Sequence, residues 1–188
     1  MGEGYSKIFW GLFLTMFHIN LGSIQLLPNF IGLLIVLNGI KQMLYKYENI
    51  KELKNAVAFC YMSIIIEFII FFIKLISYEG IALIFNLIII ELGIISDFIM
   101  IFYILSGAVR ILERLELTIA ANEYIKNIRI FTVLYSILCI ILAISVSFNF
   151  EIIAVLSIIF WIIINIWLLI IIRGLKNLKI DDEVNYTI

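Results

Sequence analysis

Along the chain, long apolar runs alternate with short polar breaks, and the length of the runs is the first structural signal. A helix rises about 1.5 Å per residue, so a hydrocarbon core of about 30 Å needs roughly 20 apolar residues. Six segments approach that length: Lys7 to Asn20, Pro28 to Leu44, Ala56 to Ser77, Ile81 to Val109, Ile128 to Phe148, and Glu151 to Ile172. The first two would merge into one run about twice a bilayer in length, but Gly22-Ser23-Ile24-Gln25 and then Pro28 mark a turn between them, with Pro near the first helical position of the next element. The pattern predicts an all-α, polytopic membrane helix bundle. Its six transmembrane helices form three hairpins, at about 7–46, 54–110 and 127–176, within a single integral membrane domain covering residues 1–188. Past the fourth span, Ile111, Leu112, Leu115 and Ile119 fall on one side of a continued helix and Arg110, Glu113, Arg114 and Glu116 on the other, which predicts an interfacial helix at about 110–125. Residues 177–188 make a short tail that carries the acidic group Asp181-Asp182-Glu183.

The positive residues give the spans an orientation. Lys and Arg collect in cytoplasmic loops, and with six spans and the N-terminus inside, Lys7, Lys41, Lys46, Lys51, Lys54, Arg110, Arg114, Lys126, Arg129, Arg173, Lys176 and Lys179 share one side, while only Lys74 falls on the other. Five or seven spans would scatter these cations over both faces. The expected location is therefore the cell membrane, with both termini cytoplasmic. Near the inner ends of the even helices, Leu37-Asn38-Gly39-Ile40-Lys41, Leu105-Ser106-Gly107-Ala108-Val109-Arg110 and Ile172-Arg173-Gly174-Leu175-Lys176 each place a cation shortly after a glycine. Small residues and cations both gather at inner helix ends, but the near-equal spacing also fits three parallel copies of one hairpin design.

Composition excludes whole classes of function. Hydrophobic residues make up 64% of the 188 and charged residues 14%, well below the roughly 25% charge of a soluble domain. A net charge of −1 and a pI near 5.8 carry no nucleic-acid footprint. With one histidine and two cysteines, Cys60 and Cys139, inside apolar runs, neither a zinc site nor a disulfide framework is expected. No glycine-rich phosphate loop, nucleophile elbow or paired-histidine motif occurs, so the reading is of a non-enzymatic protein without a cofactor. The lipid bilayer is the one certain environment.

Candidate chemistry lies in the polar residues within the apolar runs, since an ionisable group at mid-bilayer costs about 2.5 to 3.5 kcal/mol on insertion scales and usually faces a bundle interior. Counted from the assumed span ends, His18, Asn38, Glu67 and Glu91 fall about 15 to 18 Å deep on four different helices, a depth that would make a central polar layer for a solute, an ion or a proton. A buried, hydrogen-bonded structural carboxyl is the competing reading for either glutamate, and a satisfied structural histidine for His18. Asp97, Asn86 and Asn165 are secondary candidates: Asn86, Gly93 and Asp97 share one face of the fourth span, with Glu91 on another, which predicts that this helix is central. Lys74 shares a face with Glu67 about 10 Å away along the axis, a separation that favours snorkelling over pairing. Small-residue stripes at Thr132, Ser136, Cys139 and Ala143, and at Ser157, Trp161 and Asn165, read as packing seams.

The segment Ile24-Gln25-Leu26-Leu27-Pro28-Asn29-Phe30-Ile31-Gly32-Leu33-Leu34-Ile35, followed by Gly39-Ile40-Lys41, resembles a motif of small bacterial multipass membrane proteins without an assigned activity. In those proteins Asp often stands at the place of Asn29 and Tyr at that of Leu33. The likeness covers about the first 45 residues and implies a bacterial membrane protein, with no site residues. In size and span count alone, the chain is also similar to the substrate-capture components of energy-coupling-factor vitamin transporters. The leading expectation is a protein that binds or transports a small solute or ion through its central polar layer. The alternative is a membrane interaction module, such as a partner subunit of an exporter, an immunity protein or a signalling component, acting through a membrane protein partner or as a homo-oligomer.

Overall fold

The computed structural model describes residues 2–16, 20–21, 24–25, 28–76, 82–147 and 151–178. Six helices carry the fold: α1 (Gly2–Met16), α2 (Asn29–Lys46), α3 (Lys51–Ile76), α4 (Ala82–Arg114), α5 (Thr118–Ser147) and α6 (Glu151–Asn177). Between α1 and α2 the two-residue strands β1 (Asn20–Leu21) and β2 (Ile24–Gln25) pair antiparallel, Asn20 opposite Gln25 and Leu21 opposite Ile24, across the predicted turn. Pro28 enters α2 at φ −60°, where its missing N–H costs nothing.

Four helices, α3 to α6, are long and apolar enough to cross a membrane. With 15 and 18 residues, α1 and α2 reach only about 22 and 27 Å. Their lengths are close to those of the predicted segments, with α1 displaced toward the N-terminus: it starts at Gly2, five residues before Lys7, and is described as far as Met16.

The predicted interfacial helix at 110–125 is divided. Residues 110–114 complete α4, and 118–125 open α5. Between them the N–H of Leu117 bonds the carbonyl of Leu112 and that of Glu116 the carbonyl of Glu113, with Glu116 in the left-handed region at φ 58°. This paired capping pattern ends a helix and reverses the chain. Amphipathic spacing continued through the break, so periodicity alone could not reveal it. The α2–α3 turn is also left-handed, at Asn49 (φ 65°), and the Arg114 guanidinium holds it from across the bundle by donating to the carbonyls of Glu48 (2.8 Å) and Asn49 (3.4 Å).

Each helix packs chiefly against its two neighbours in the chain, and α6 closes back on α1. The result is a closed ring of three helical hairpins. No described helix runs through its middle, which corrects the expectation that α4 is central: its two polar faces arise because a ring helix meets α3 on one side and α5 on the other. The repeat glycines serve the hairpins. A Cβ on Gly39 would lie 2.7 Å from the Gly4 carbonyl oxygen on α1, one on Gly107 would lie 2.6 Å from Leu53 Cδ2 on α3, and one on Gly174 would lie 2.7 Å from Tyr124 Oη on α5. In every hairpin the even helix turns its glycine to its odd partner, the arrangement expected of one repeated design.

Packing differs along the ring axis. The core of Tyr5, Ile8, Ile40, Leu53, Ala56, Ile104, Leu112 and Leu175 is fully buried and fills the end of the bundle where Lys41, Lys46, Lys51, Arg110, Arg114 and Lys176 lie. In α3 the described buried positions stop at Ser63, and in α4 they begin at Gly93. Beyond this floor the interior is less completely filled.

Candidate functional site

Above the packed floor lies a cavity of about 240 Å³ to which all six helices contribute. Leu12, Thr15 and Met16 come from α1, Asn29 and Leu33 from α2, Glu67 and Ile70 from α3, and Tyr135 from α5. Gly93, Asp97 and Met100 line it from α4, with Ile90, Ile94 and Ile101, and Trp161 and Asn165 line it from α6. One lining residue from each of α2 to α6 shares a depth, while Thr15 and Asn165 lie lower. Counted from the cation-bearing helix ends, Asn29 is 17 residues from Lys46, Glu67 16 from Lys51, Asp97 17 from Arg114, Tyr135 17 from Thr118 and Trp161 16 from Asn177. At 1.5 Å per residue each lies about 25 Å up its helix.

Asp97 is the most constrained group. Ser63 on α3 stands beside its carboxyl, while its buried Oδ1 has no hydrogen-bond partner among the described residues. Ser63 Oγ also lies 2.9 Å from Ser96 Oγ, and Ser96 reaches the Phe59 carbonyl at 3.3 Å, so a short hydroxyl chain at the α3–α4 seam borders one side of the carboxyl. Glu67 is half-buried on the same cavity wall and close enough to Asp97 for their charges to interact. Opposite, the Tyr135 ring stacks on Phe98 with centroids 5.0 Å apart and packs on Phe131 at 5.4 Å, so it is rigidly held. Trp161 lines the cavity beside Tyr135, and Asn165 Nδ2 donates to the Trp161 carbonyl at 2.9 Å, which orients the amide along α6. No group of three or more His, Cys, Asp or Glu residues suited to a metal occurs among the described residues.

The sequence candidates separate. Glu67, Asp97 and Asn165 line one cavity. Asn38 does not join them. It is exposed, accepts a hydrogen bond from Lys7 Nζ at 3.2 Å, and stands only eight residues from the end of α2, since that helix runs from Asn29 to Lys46. Glu91 is half-buried but projects away from the cavity, within electrostatic reach of Cys139 on α5: six residues separate it from Asp97, which turns it about 120° around the helix. His18, Lys179 and most of the tail lie outside the described residues, as do the side chains of Asn86 and Lys74. Thr15, Asn29, Tyr135 and Trp161 complete the lining, and the signal that finds them is distance from the cationic helix ends. Of the two small-residue stripes, Ser157, Trp161 and Asn165 face the interior. The α5 stripe does not form an internal seam, because α5 packs inward through Phe131, Tyr135 and Leu138 and leaves Ser136 and Ala143 exposed.

Comparison of the chain with protein-family models, curated proteins and solved structures finds no match. The site therefore has to be read from its own chemistry.

Proposed function

We propose that this chain is a bacterial cell-membrane protein whose six helices all cross the bilayer, with both termini cytoplasmic, and that it binds or moves a small solute or ion through its central polar cavity. One observation carries the reading: every helix of the ring contributes to a single cavity that holds two carboxyl groups, where buried polar groups are costly and usually functional. A cavity of 240 Å³ is below the roughly 300 to 1,000 Å³ of drug-sized pockets, so the solute is small. The short α1 and α2 span by local thinning of the bilayer or by their place inside the ring, at a cost of fractions of a kcal/mol per Å of mismatch.

Orientation is testable directly. Cysteine placed at Lys51 or Lys176 is expected to react with a membrane-impermeant maleimide in inverted vesicles and not in intact cells, while cysteine at Ile152, at the opposite end of α6, shows the reverse; equal labelling from both sides refutes the topology. For the cavity, a solute that raises the melting temperature of the purified protein is expected to lose its effect in Gly93→Leu. The new side chain enters the cavity, while a Cβ at this position stands an acceptable 3.3 Å from Ile66 Cγ2. Ligands that stabilise this variant as well as the wild type are bound elsewhere and refute the site.

A second reading, a partner subunit that carries no solute, is favoured by the small side chains that α5 leaves on its outer face at Ser136 and Ala143. Stable co-purification of another membrane protein in mild detergent, lost on Ser136→Leu, supports it.

A further inference from the structure

We propose that the central cavity selects a small organic monocation with an apolar body, such as a short-chain primary ammonium. This rests on the solute-binding reading above and adds the chemical class. Three features of the lining point to it.

The charge is of one sign. Glu67 and Asp97 stand on the same wall and interact electrostatically, and no lysine or arginine lines the cavity among the described residues. Among the described residues, the buried Oδ1 of Asp97 has no donor. An ammonium N–H supplies the missing donor and charge together, and a charge-assisted hydrogen bond of that kind is about twice as strong as a neutral one. Two carboxyls near one cation also relieve their mutual repulsion.

The rest of the lining suits a hydrocarbon body. Leu12, Leu33, Ile70, Ile94 and Ile101 surround the polar groups. Inorganic cations such as calcium need about 6 to 8 oxygen ligands, which two carboxyls and a few neutral groups in an otherwise aliphatic wall do not provide. An alkylammonium needs its head ligated and its tail desolvated.

Aromatic groups finish the site. Tyr135 and Trp161 line it from α5 and α6, the tyrosine ring held by its stack on Phe98. Aromatic groups attract cations through their ring faces, and two of them border the space in which the ammonium would lie. The cavity holds the volume of about eight waters, which accommodates a four-carbon amine and excludes large lipophilic cations.

The test uses the full chain in lipid nanodiscs, titrated by calorimetry with n-butylammonium, n-butanol, butyrate and sodium chloride. The expected result is saturable binding of butylammonium alone, at least tenfold weaker in Asp97→Asn and in Glu67→Gln and unchanged in Glu91→Gln. Either carboxamide variant suffices should the other fail to fold. If butanol or butyrate binds as well as butylammonium and Gly93→Leu removes that binding, the cavity is a solute site but the cation assignment is overturned. If sodium competes with butylammonium at equal concentration, selection for an organic body is overturned. Absence of binding by every probe overturns both this proposal and the solute reading on which it rests.

Discussion

Gly11→Leu is expected to prevent the ring from forming, with the loss of the monodisperse peak in size-exclusion chromatography and of any cooperative melt. The α1–α2 seam brings backbone to backbone. A Cβ on Gly11 would lie 2.6 Å from the Gly32 carbonyl oxygen and 2.7 Å from the Val36 nitrogen, and one on Gly32 would lie 2.8 Å from the Gly11 carbonyl oxygen. Gly4 and Gly39 repeat the contact one heptad away. Overpacking a core typically costs about 1 to 3 kcal/mol, but that figure assumes side chains that can yield, and here the obstacle is main chain. We expect a loss above about 3 kcal/mol for leucine, the upper end of that range. The same chemistry has the opposite sign elsewhere in the ring. At Gly93 the nearest atom to an added Cβ is a side-chain methyl at 3.3 Å, so Gly93→Ala is expected to be neutral or to stabilise by up to about 1 kcal/mol through helix propensity. Equal melting temperatures for Gly11→Ala and Gly93→Ala would contradict the close approach.

The second large effect is a gain. Asp97→Leu is expected to raise the melting temperature of the purified protein while ending ligand binding. A buried polar atom without a partner costs about 1 to 3 kcal/mol by mutational measures, and replacing a buried charge by an apolar residue of similar size is often neutral or stabilising by about 1 to 4 kcal/mol. The hydroxyls left behind are not stranded, since Ser63 and Ser96 stand 2.9 Å apart and Ser96 also reaches the Phe59 carbonyl. The larger leucine has the cavity to occupy. A fall in melting temperature would mean that the carboxyl holds the α3–α4 seam together and is there for structure.

Part of this architecture was legible in the sequence. Run length located the outer ends of the long helices to within a residue, while their cation-bearing ends run five to ten residues past the predicted segments because charged turns continue the helix, and the glycines at 39, 107 and 174 each fall at a hairpin contact. What escaped was angle and closure. Depth along a helix does not state azimuth, so Glu91 and Asp97, six residues apart, could not be sorted until the contacts of α4 were known. Asn38 was misplaced for the same reason: its helix starts within one residue of the predicted position, but Asn38 points to the exposed side, where it meets Lys7. Tyr135 and Trp161 went unnoticed as site residues because an aromatic in an apolar run looks like any other packing group. Only the ring, which sets five helices in register from one end, gives them a common address. The 110–125 segment shows the converse: the apolar face holds before the break, where Ile111 and Leu112 are buried, and fails after it, where the chain has turned at left-handed Glu116 and Ile119 is exposed.

Ring closure sets α1 against α6, helices more than a hundred residues apart in the chain. A chain inserted from its N-terminus has every cavity wall but one when α5 is in place, and at that stage the side chains of Asp97 and Glu67 border a gap open to lipid. The carboxyls acquire their enclosed setting only when Trp161 and Asn165 arrive on the final helix. On the proposed membrane reading, the step before α6 packs is therefore expected to leave acidic groups beside hydrocarbon, and α6, the most apolar of the four helices long enough to cross a membrane, is the element that covers them.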